Sequence, residues 1–499
     1  AHDGNMAGTN DDDCNCDKSG ERFITPSMNL TGVAGALLQF DCFFLGETFQ
    51  GATEQMFLEV STDNGSTWNT IQTIAGNTNW RTISVNLASY VGQEIQVAFT
   101  YEDNGGWLYG AAIDNVLVTE MVQYDMAGLS GVVPEFVEIN TPISLSGVLQ
   151  NLGMATINSF DLNYSVNGGA PVTQSVTGLN IASAANHNFT HGTPWTPTNA
   201  GPHQIKIWAS NLNGNADMNN SNDTITLNTT VATSVLQRAT MFEQFTSNTC
   251  PPCASSDPQV ATFLNNNNAN GFNSKLNVVK YHVNFPAPGT DEAFTPEVNV
   301  RRQYYGVSGV PNVVMSNIYQ GHPLNLQQSA VNNETDRPTI FSIALNPTVN
   351  GNDVSLEASV TSTIDFNNNN LRLHVVLIED VINASDFNPA PTTNQQVFTY
   401  VMRKMLPNAN GTTLASLTAG QTETVSLNHT LNNLIVGNMN NVSVVAFLQN
   451  HATREIYQST AMKINAANIS EMENINAQIK IFPNPTSELV TIATDNELS

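Results

Sequence analysis

The chain has 499 residues, 40% of them hydrophobic, and at roughly 100 to 200 residues per domain it should divide into about three to five domains. Its 16 Lys and Arg residues against 42 Asp and Glu leave a net charge of −26, and only 12% of residues are charged, about half the usual share of roughly 25%. Such a scarcity of cations excludes a nucleic-acid or anionic-membrane surface, and no apolar run reaches the roughly 18 to 20 residues of a membrane-spanning helix.

The richest apolar stretch, Leu371 to Ile382, is broken by Arg372, His374, Glu379 and Asp380. Intrinsic disorder is excluded by apolar and aromatic residues that recur in strand-like alternation throughout. The surface is filled by uncharged polar residues, with Asn runs at Asn265 to Asn268 and Asn367 to Asn370. Ala1 carries no initiator Met and no signal peptide, so the sequence reads as a processed or trimmed product. Five cysteines, Cys14, Cys16, Cys42, Cys250 and Cys253, do not by themselves settle the redox compartment.

In chain order, an acidic segment comes first, from Asp11 to Glu21. Asp13, Asn15 and Asp17 alternate like the first ligands of a calcium loop, but Lys18 stands where such a loop needs Gly and no bidentate acid closes it. They are candidates for a structural calcium, with a solvated loop as the other reading. Cys42 could pair with Cys14 or Cys16, leaving one thiol over, and the sequence does not settle the pairing of the three.

Residues 23 to 119 give short alternating segments, including Met56 to Val60, Thr82 to Val85 and Ile95 to Phe99, separated by Gly, Asn and Asp turns. That spacing suggests a β-sandwich. In Ser61-Thr62-Asp63-Asn64-Gly65-Ser66-Thr67-Trp68, Asp63 can cap the turn, Gly65 supplies a positive φ and Trp68 packs back on the hairpin. The pattern is similar to the Asp box of sialidases, but one copy makes no propeller. With Trp80, Tyr90-Val91-Gly92, Gly105-Gly106-Trp107 and Ile113-Asp114-Asn115-Val116, residues 1–122 resemble the jelly-roll domains of the MAM and cleaved-adhesin type on secreted Bacteroidota proteins. That resemblance implies a carbohydrate- or protein-binding module or a spacer, often with a structural calcium.

Residues 123–233 repeat the β pattern in the segments Ile143 to Val148, Phe160 to Val166, Gln204 to Ala209 and Thr224 to Leu227, with Asn151-Leu152-Gly153 at a turn. This is similar to immunoglobulin-like adhesion modules and implies a spacer. His187, His191 and His203 lie in polar turn context and read as surface residues.

Residues 234–339 change character. Ala239 to Phe245 reads as a buried strand, followed by Cys250-Pro251-Pro252-Cys253, helical spacing through Val260 to Leu264, and a second strand over Leu276 to Val283. Strand, helix and strand imply a βαβ unit. Two cysteines at this spacing on a helix N-terminus are a redox arrangement, because free N–H groups and the helix dipole stabilise a thiolate. Cys250 would attack and Cys253 resolve the mixed disulfide. A structural disulfide is the plainer reading, and half a zinc site is disfavoured because no second ligand pair follows.

The Cys-Pro-Pro-Cys turn, Pro258 in the following helix and Gly309-Val310-Pro311 before another strand together resemble thioredoxin-like proteins. The resemblance implies a cis bond before Pro311, facing the cysteine pair, and no required cofactor. Two departures bear on mechanism. Thr249 replaces the Trp that often precedes the first cysteine. Gln244 replaces the buried acid, with Glu243 adjacent but directed to the other face of the strand. Either Glu243 takes the role through a local shift, or exchange is slow, or the pair is a locked disulfide.

From Pro338 the β-only pattern resumes, and residues 340–465 read as another sandwich. Glu243 to Cys253, Leu373 to Asp380 and Val444 to Gln449 resemble, over about 236 to 464, a Bacteroidota outer-membrane protein family pairing a thioredoxin-like domain with a β-sandwich. Residues 466–499 read as a linker and a truncated sorting segment. There, Ile479-Lys480-Ile481-Phe482-Pro483-Asn484-Pro485 resembles the opening of a type IX secretion sorting domain, which implies that machinery as a partner.

The expected fold is multidomain and mainly β, with jelly-roll and immunoglobulin-like sandwiches around one α/β thioredoxin-like domain. The expected location is extracellular or on the outer-membrane surface. Two functions are in play. The first is thiol-disulfide exchange on secreted proteins by Cys250, Cys253 and Pro311. The second is a non-enzymatic adhesin or self-assembling subunit that binds surface glycans or proteins.

Overall fold

The computed structural model describes residues 5–10, 16–414, 416–464, 480–482 and 491–493. The described chain is mainly β, with only three α-helices among the described residues: α1 (Pro251–Asn266), α2 (Pro296–Tyr305) and α3 (Gln328–Asp336). It forms two compact units, the first made of Ala1–Val133 and Asn140–Thr230, the second of Pro134–Ile139 and Val231–Ser499.

The first unit opens with a sandwich. One sheet orders Ala7–Thr9, Ala111–Glu120, Ala36–Phe44 and Asn77–Asn86, and the facing sheet orders Glu21–Ile24, Glu94–Glu102, Gln55–Ser61 and Asn69–Ile74. Side chains alternate across each strand, so Leu38, Phe40, Cys42 and Phe44 point inward to meet Leu58, Val60, Val97 and Phe99. Each such large apolar side chain stabilises the fold by about 1.5–3 kcal/mol. The same alternation decides the pairing that the sequence left open for Cys42. It is a free, buried thiol whose Sγ lies 3.7 Å from Met56 Sδ, and burial pushes it up to about 11. Cys16 is disulfide-bonded, whereas Cys42 faces the wrong way to reach it.

The hairpin at Ser61 to Trp68 closes as its residues require. Asp63 Oδ1 accepts the Thr67 N–H at 2.8 Å, Ser61 Oγ accepts the Gly65 N–H at 2.8 Å, and Gly65 sits at φ +82 with a Trp68 ring carbon 3.6 Å from where a Cβ would be. A second sandwich follows. Met126–Val132, Ser146–Asn151 and Asn186–Thr190 form one sheet, and Ile225–Ala232, Gly201–Ser210, Ile157–Val166 and Val172–Ile181 lie in the other. Asn151 is fully buried and anchors the turn after its strand, donating to Ala155 and Ile181 carbonyls and accepting the Gly153 N–H at 3.0 Å. His191, expected at the surface, is buried edge-on to the Tyr164 ring at 4.8 Å.

In the second unit one sheet runs through both segments read from the sequence as 234–339 and 340–465. Its order is Tyr319–Gly321, Asn312–Met315, Thr240–Thr246, Leu276–His282, Val397–Leu406, Leu371–Asn383, Val442–Asn450 and Ile456–Lys463. Thr240–Thr246 and Leu276–His282 are parallel, as the α1 crossover between them requires. Phe242, Val260, Leu264, Val278, Val313 and Val331 form the core under α1 and α3. Met241, Phe245, Tyr281, Val298 and Tyr305 pack with Met402 and Phe447 under α2 on the opposite face. A three-stranded sheet of Phe341–Asn350, Asp353–Ser362 and Thr422–Thr430 covers a third core that includes Val354, Leu356, Leu373, Val375 and Val444.

Candidate functional site

The cysteine pair sits where a buried strand meets a helix. Thr240–Thr246 is buried along its whole length, and the chain turns through Ser247, Asn248 and Thr249 into Cys250, the N-cap of α1 with φ −107 and ψ 103. Cys250 Sγ accepts the Cys253 N–H at 3.1 Å, satisfying one of the helix's orphan donors. Pro251 and Pro252 fill the first helical positions, where a missing N–H and a fixed φ cost nothing. Cys250 and Cys253 form a disulfide with Cα atoms 5.2 Å apart. Both are only 1% exposed, while Pro251 and Pro252 face solvent.

Pro311 lies beside the pair. The Val310–Pro311 bond is cis, Pro311 is buried, and the Val310 carbonyl oxygen is 3.7 Å from Cys250 Sγ. The fold therefore brings Cys250, Cys253 and Pro311 together. Of the calcium candidates, Asp13 and Asn15 lie outside the described residues. Asp17 is exposed and its Oδ1 accepts the Ser19 N–H at 2.8 Å, closing a local turn.

Gln244 and Glu243 take opposite faces. Glu243 points away from the disulfide and is held by Arg301 of α2, whose Nη2 lies 2.7 Å from Oε2 and 2.8 Å from Oε1. The Tyr281 and Tyr305 hydroxyls donate to it at 2.8 and 2.5 Å. Burial first, then the Glu243 charge, push both phenols well above their usual range. Glu243 is thus committed elsewhere and does not serve Cys253. Gln244 shares the α1 face and is buried with Oε1 unpartnered. Its register partner Lys280 carries the charge on that face, pairing at 3.0 Å with Asp257, one helical turn after Cys253.

A second cluster, with no motif to announce it, fixes the approach to Cys250. The buried pair His282 and Asp291 are joined Nδ1 to Oδ2 at 2.8 Å. The same carboxylate oxygen accepts the Asn248 N–H at 2.7 Å. Burial would raise the Asp291 pKa, but His282 and the backbone N–H groups of Asn248 and Ala293 outweigh it and hold the carboxyl below its usual range. Thr249 Oγ1 donates to the Pro286 carbonyl at 3.0 Å. The two residues before Cys250 are therefore tied to the loop 284–291. With both sulfurs buried, an attacking thiolate has no line of approach until some of this packing opens.

Residues 299–468 match the outer membrane protein Omp28 family, which supports the expected extracellular or outer-membrane surface location. No curated protein matches the chain. Among solved structures, HBP35 of Porphyromonas gingivalis is 15% identical, covering 53% of this chain and 86% of its own, with a TM-score of 0.37. The CARDB domain of the PF1109 protein from Pyrococcus furiosus is 23% identical over 23% of this chain and 97% of its own, with a TM-score of 0.19. A domain of a putative cell surface protein from Methanosarcina acetivorans is 24% identical over 22% of this chain and 93% of its own, also with a TM-score of 0.19. No helix among the described residues is long and apolar enough to cross a membrane.

Proposed function

We propose that the chain is a non-enzymatic surface protein, displayed or assembled outside the outer membrane of a Bacteroidota cell. In this reading its Cys250–Cys253 segment is a thioredoxin-like scaffold and not a catalyst. The observation that carries it is the 1% exposure of Cys250, since a disulfide exchanger must present its attacking sulfur to a partner. The commitment of Glu243 to Arg301 supports it further, because that carboxylate is not available to take the proton of a resolving thiol.

Binding would fall to the β modules. In the first sandwich, the loop after Glu94–Glu102 holds Trp107 and Tyr109 at 54% and 61% exposure, the kind of aromatic surface that stacks on sugar rings or anchors a protein partner. The type IX export route rests on the resemblance at Phe482 to Pro485. Residues 483–485 lie outside the described residues, and the flanking Lys480–Phe482 and Thr491–Ala493 pair antiparallel.

Thiol-disulfide exchange is the second reading, favoured by the position of cis Pro311 next to Cys250. Reduction of insulin disulfides by the full chain and by Cys250→Ser separates the two. Equal background rates are expected, and a wild-type rate clearly above the variant's overturns the scaffold reading.

A further inference from the structure

The second sandwich of the first unit contains three clustered carboxylates with no ion-pair partner among the described residues. Asp125 precedes the strand Met126–Val132, and Asp217 and Asp223 bracket the segment leading to Ile225–Ala232. One oxygen from each lies within 4.8 Å of the other two. Two of the three are accounted for by hydrogen bonds. Asp217 accepts the Met126 and Asn219 N–H groups at 2.8 and 2.9 Å, and Asp125 accepts the Asn222 and Asn219 side-chain amides at 3.0 and 3.1 Å.

Asp223 is different. It is 6% exposed, and its Oδ1 is buried with no hydrogen-bond partner. The buried Oδ1 of neighbouring Asn222 is likewise unpartnered. Among the described residues no basic group acts on Asp223 or on Asp125. A buried carboxylate facing two others, without donor or counter-charge, is a costly arrangement for a protein to keep unless something positive completes it.

The geometry points to a calcium-class cation site formed by Asp125, Asp217 and Asp223, with Asn222 Oδ1 as a further oxygen. The donors on hand are all oxygen, without Cys or His, which selects a hard cation over zinc or copper. Calcium accepts six to eight oxygens in irregular geometry, whereas magnesium demands a near-ideal octahedron. Asp125, Asp217 and Asp223 are distant in sequence from Asp13, Asn15 and Asp17.

The test uses the full chain, stripped with EDTA and dialysed metal-free. Calcium uptake is measured by equilibrium dialysis and atomic spectrometry, and stability by tryptophan fluorescence melting. All five tryptophans, Trp68, Trp80, Trp107, Trp195 and Trp208, lie in the first unit, so the signal reports that unit. Calcium is expected to raise the wild-type melting temperature, and Asp223→Asn should take up one equivalent fewer per chain and lose the calcium-dependent rise. In EDTA the same variant should melt no lower than wild type, because the amide removes a repulsive charge. Asp125→Asn serves as a second variant if the first folds poorly. Wild-type uptake unchanged in both variants, or no uptake by wild type at millimolar calcium, overturns the assignment.

Discussion

If the Cys250–Cys253 disulfide is a staple, removing it should cost stability by an amount set by the ring it closes. The bond joins residues three apart in sequence, a closed loop of about four residues. The chain-entropy relation then gives about 6 cal/mol/K, or about 1.9 kcal/mol at 25 °C. The substitutions must not add costs of their own. Ser suits position 250, because its hydroxyl can replace Sγ as acceptor of the residue-253 N–H at the helix cap. Ala suits position 253, where a buried hydroxyl would lack a partner. The Cys250→Ser, Cys253→Ala chain is therefore expected to lose about 2 kcal/mol in urea unfolding. Far-UV circular dichroism would follow the transition that occurs without a change in tryptophan fluorescence, since every tryptophan belongs to the first unit. In the wild type, dithiothreitol should open the bond only as fast as the second unit opens, as read by thiol labelling with and without urea. A variant as stable as wild type, or rapid reduction of the native chain, refutes the staple.

Two further outcomes follow from buried charge in the second unit. Arg301→Met should cost about 3–5 kcal/mol by chemical denaturation, because Glu243 stays buried with only hydroxyl donors; adding Glu243→Gln should recover part of that loss, and strictly additive costs would refute the coupling. His374 is stacked on Phe447 at 4.8 Å with neither ring nitrogen partnered, and burial, then Arg301, His451 and Arg372, hold its pKa well below 6.5. Below about pH 6.5 only the unfolded chain takes up this proton, so stability should fall as pH drops through that value, by up to about 1.4 kcal/mol per unit. His374→Phe should flatten the decline between pH 6 and 5, and an unchanged slope rejects the assignment.

What the sequence disclosed was mostly local. The apolar run before Cys250, the two prolines that start α1, and the Gly-Val-Pro before a strand each act within a few residues, so their consequences were legible. The exposure of Cys250 was not, because it depends on the loop 284–291 meeting Asn248 and Thr249 through Asp291 and Pro286, contacts some 40 residues apart with no spacing signature. Lys280 and His282 fall within the strand read over Leu276 to Val283, and nothing in the sequence pointed to their partners. Both are buried, since Asp257 and Asp291 meet them from elements that periodicity does not connect. The direction of Cys42 was available from the alternation Leu38, Phe40, Cys42, Phe44, yet cysteine counting alone left its pairing open. The carboxylate cluster also left a trace, in side-chain oxygens at Asp217, Asn219, Ser221 and Asp223 on every second residue, but Asp125 joins it only through sheet packing.

The continuity of the long sheet bears on whether the disulfide can be worked by a partner. Thr240–Thr246 is bonded on both sides, by Leu276–His282 and Asn312–Met315. Leu276–His282 is in turn followed by Val397–Leu406 and three further strands. The strand before the cysteines is thus interior and lacks an edge at which it might fray. Its two faces are pinned by separate cores, one through Phe242 and α1, the other through Phe245 and the Glu243–Arg301 pair. Arg301 also donates to Gln449 of Val442–Asn450 at 3.1 Å, so moving α2 would disturb a strand four places along the sheet. Local opening is cheapest where buried contacts and interior hydrogen bonds are few, and here both are plentiful. A cysteine turn packed this tightly suits the proposed reading of the disulfide as a staple.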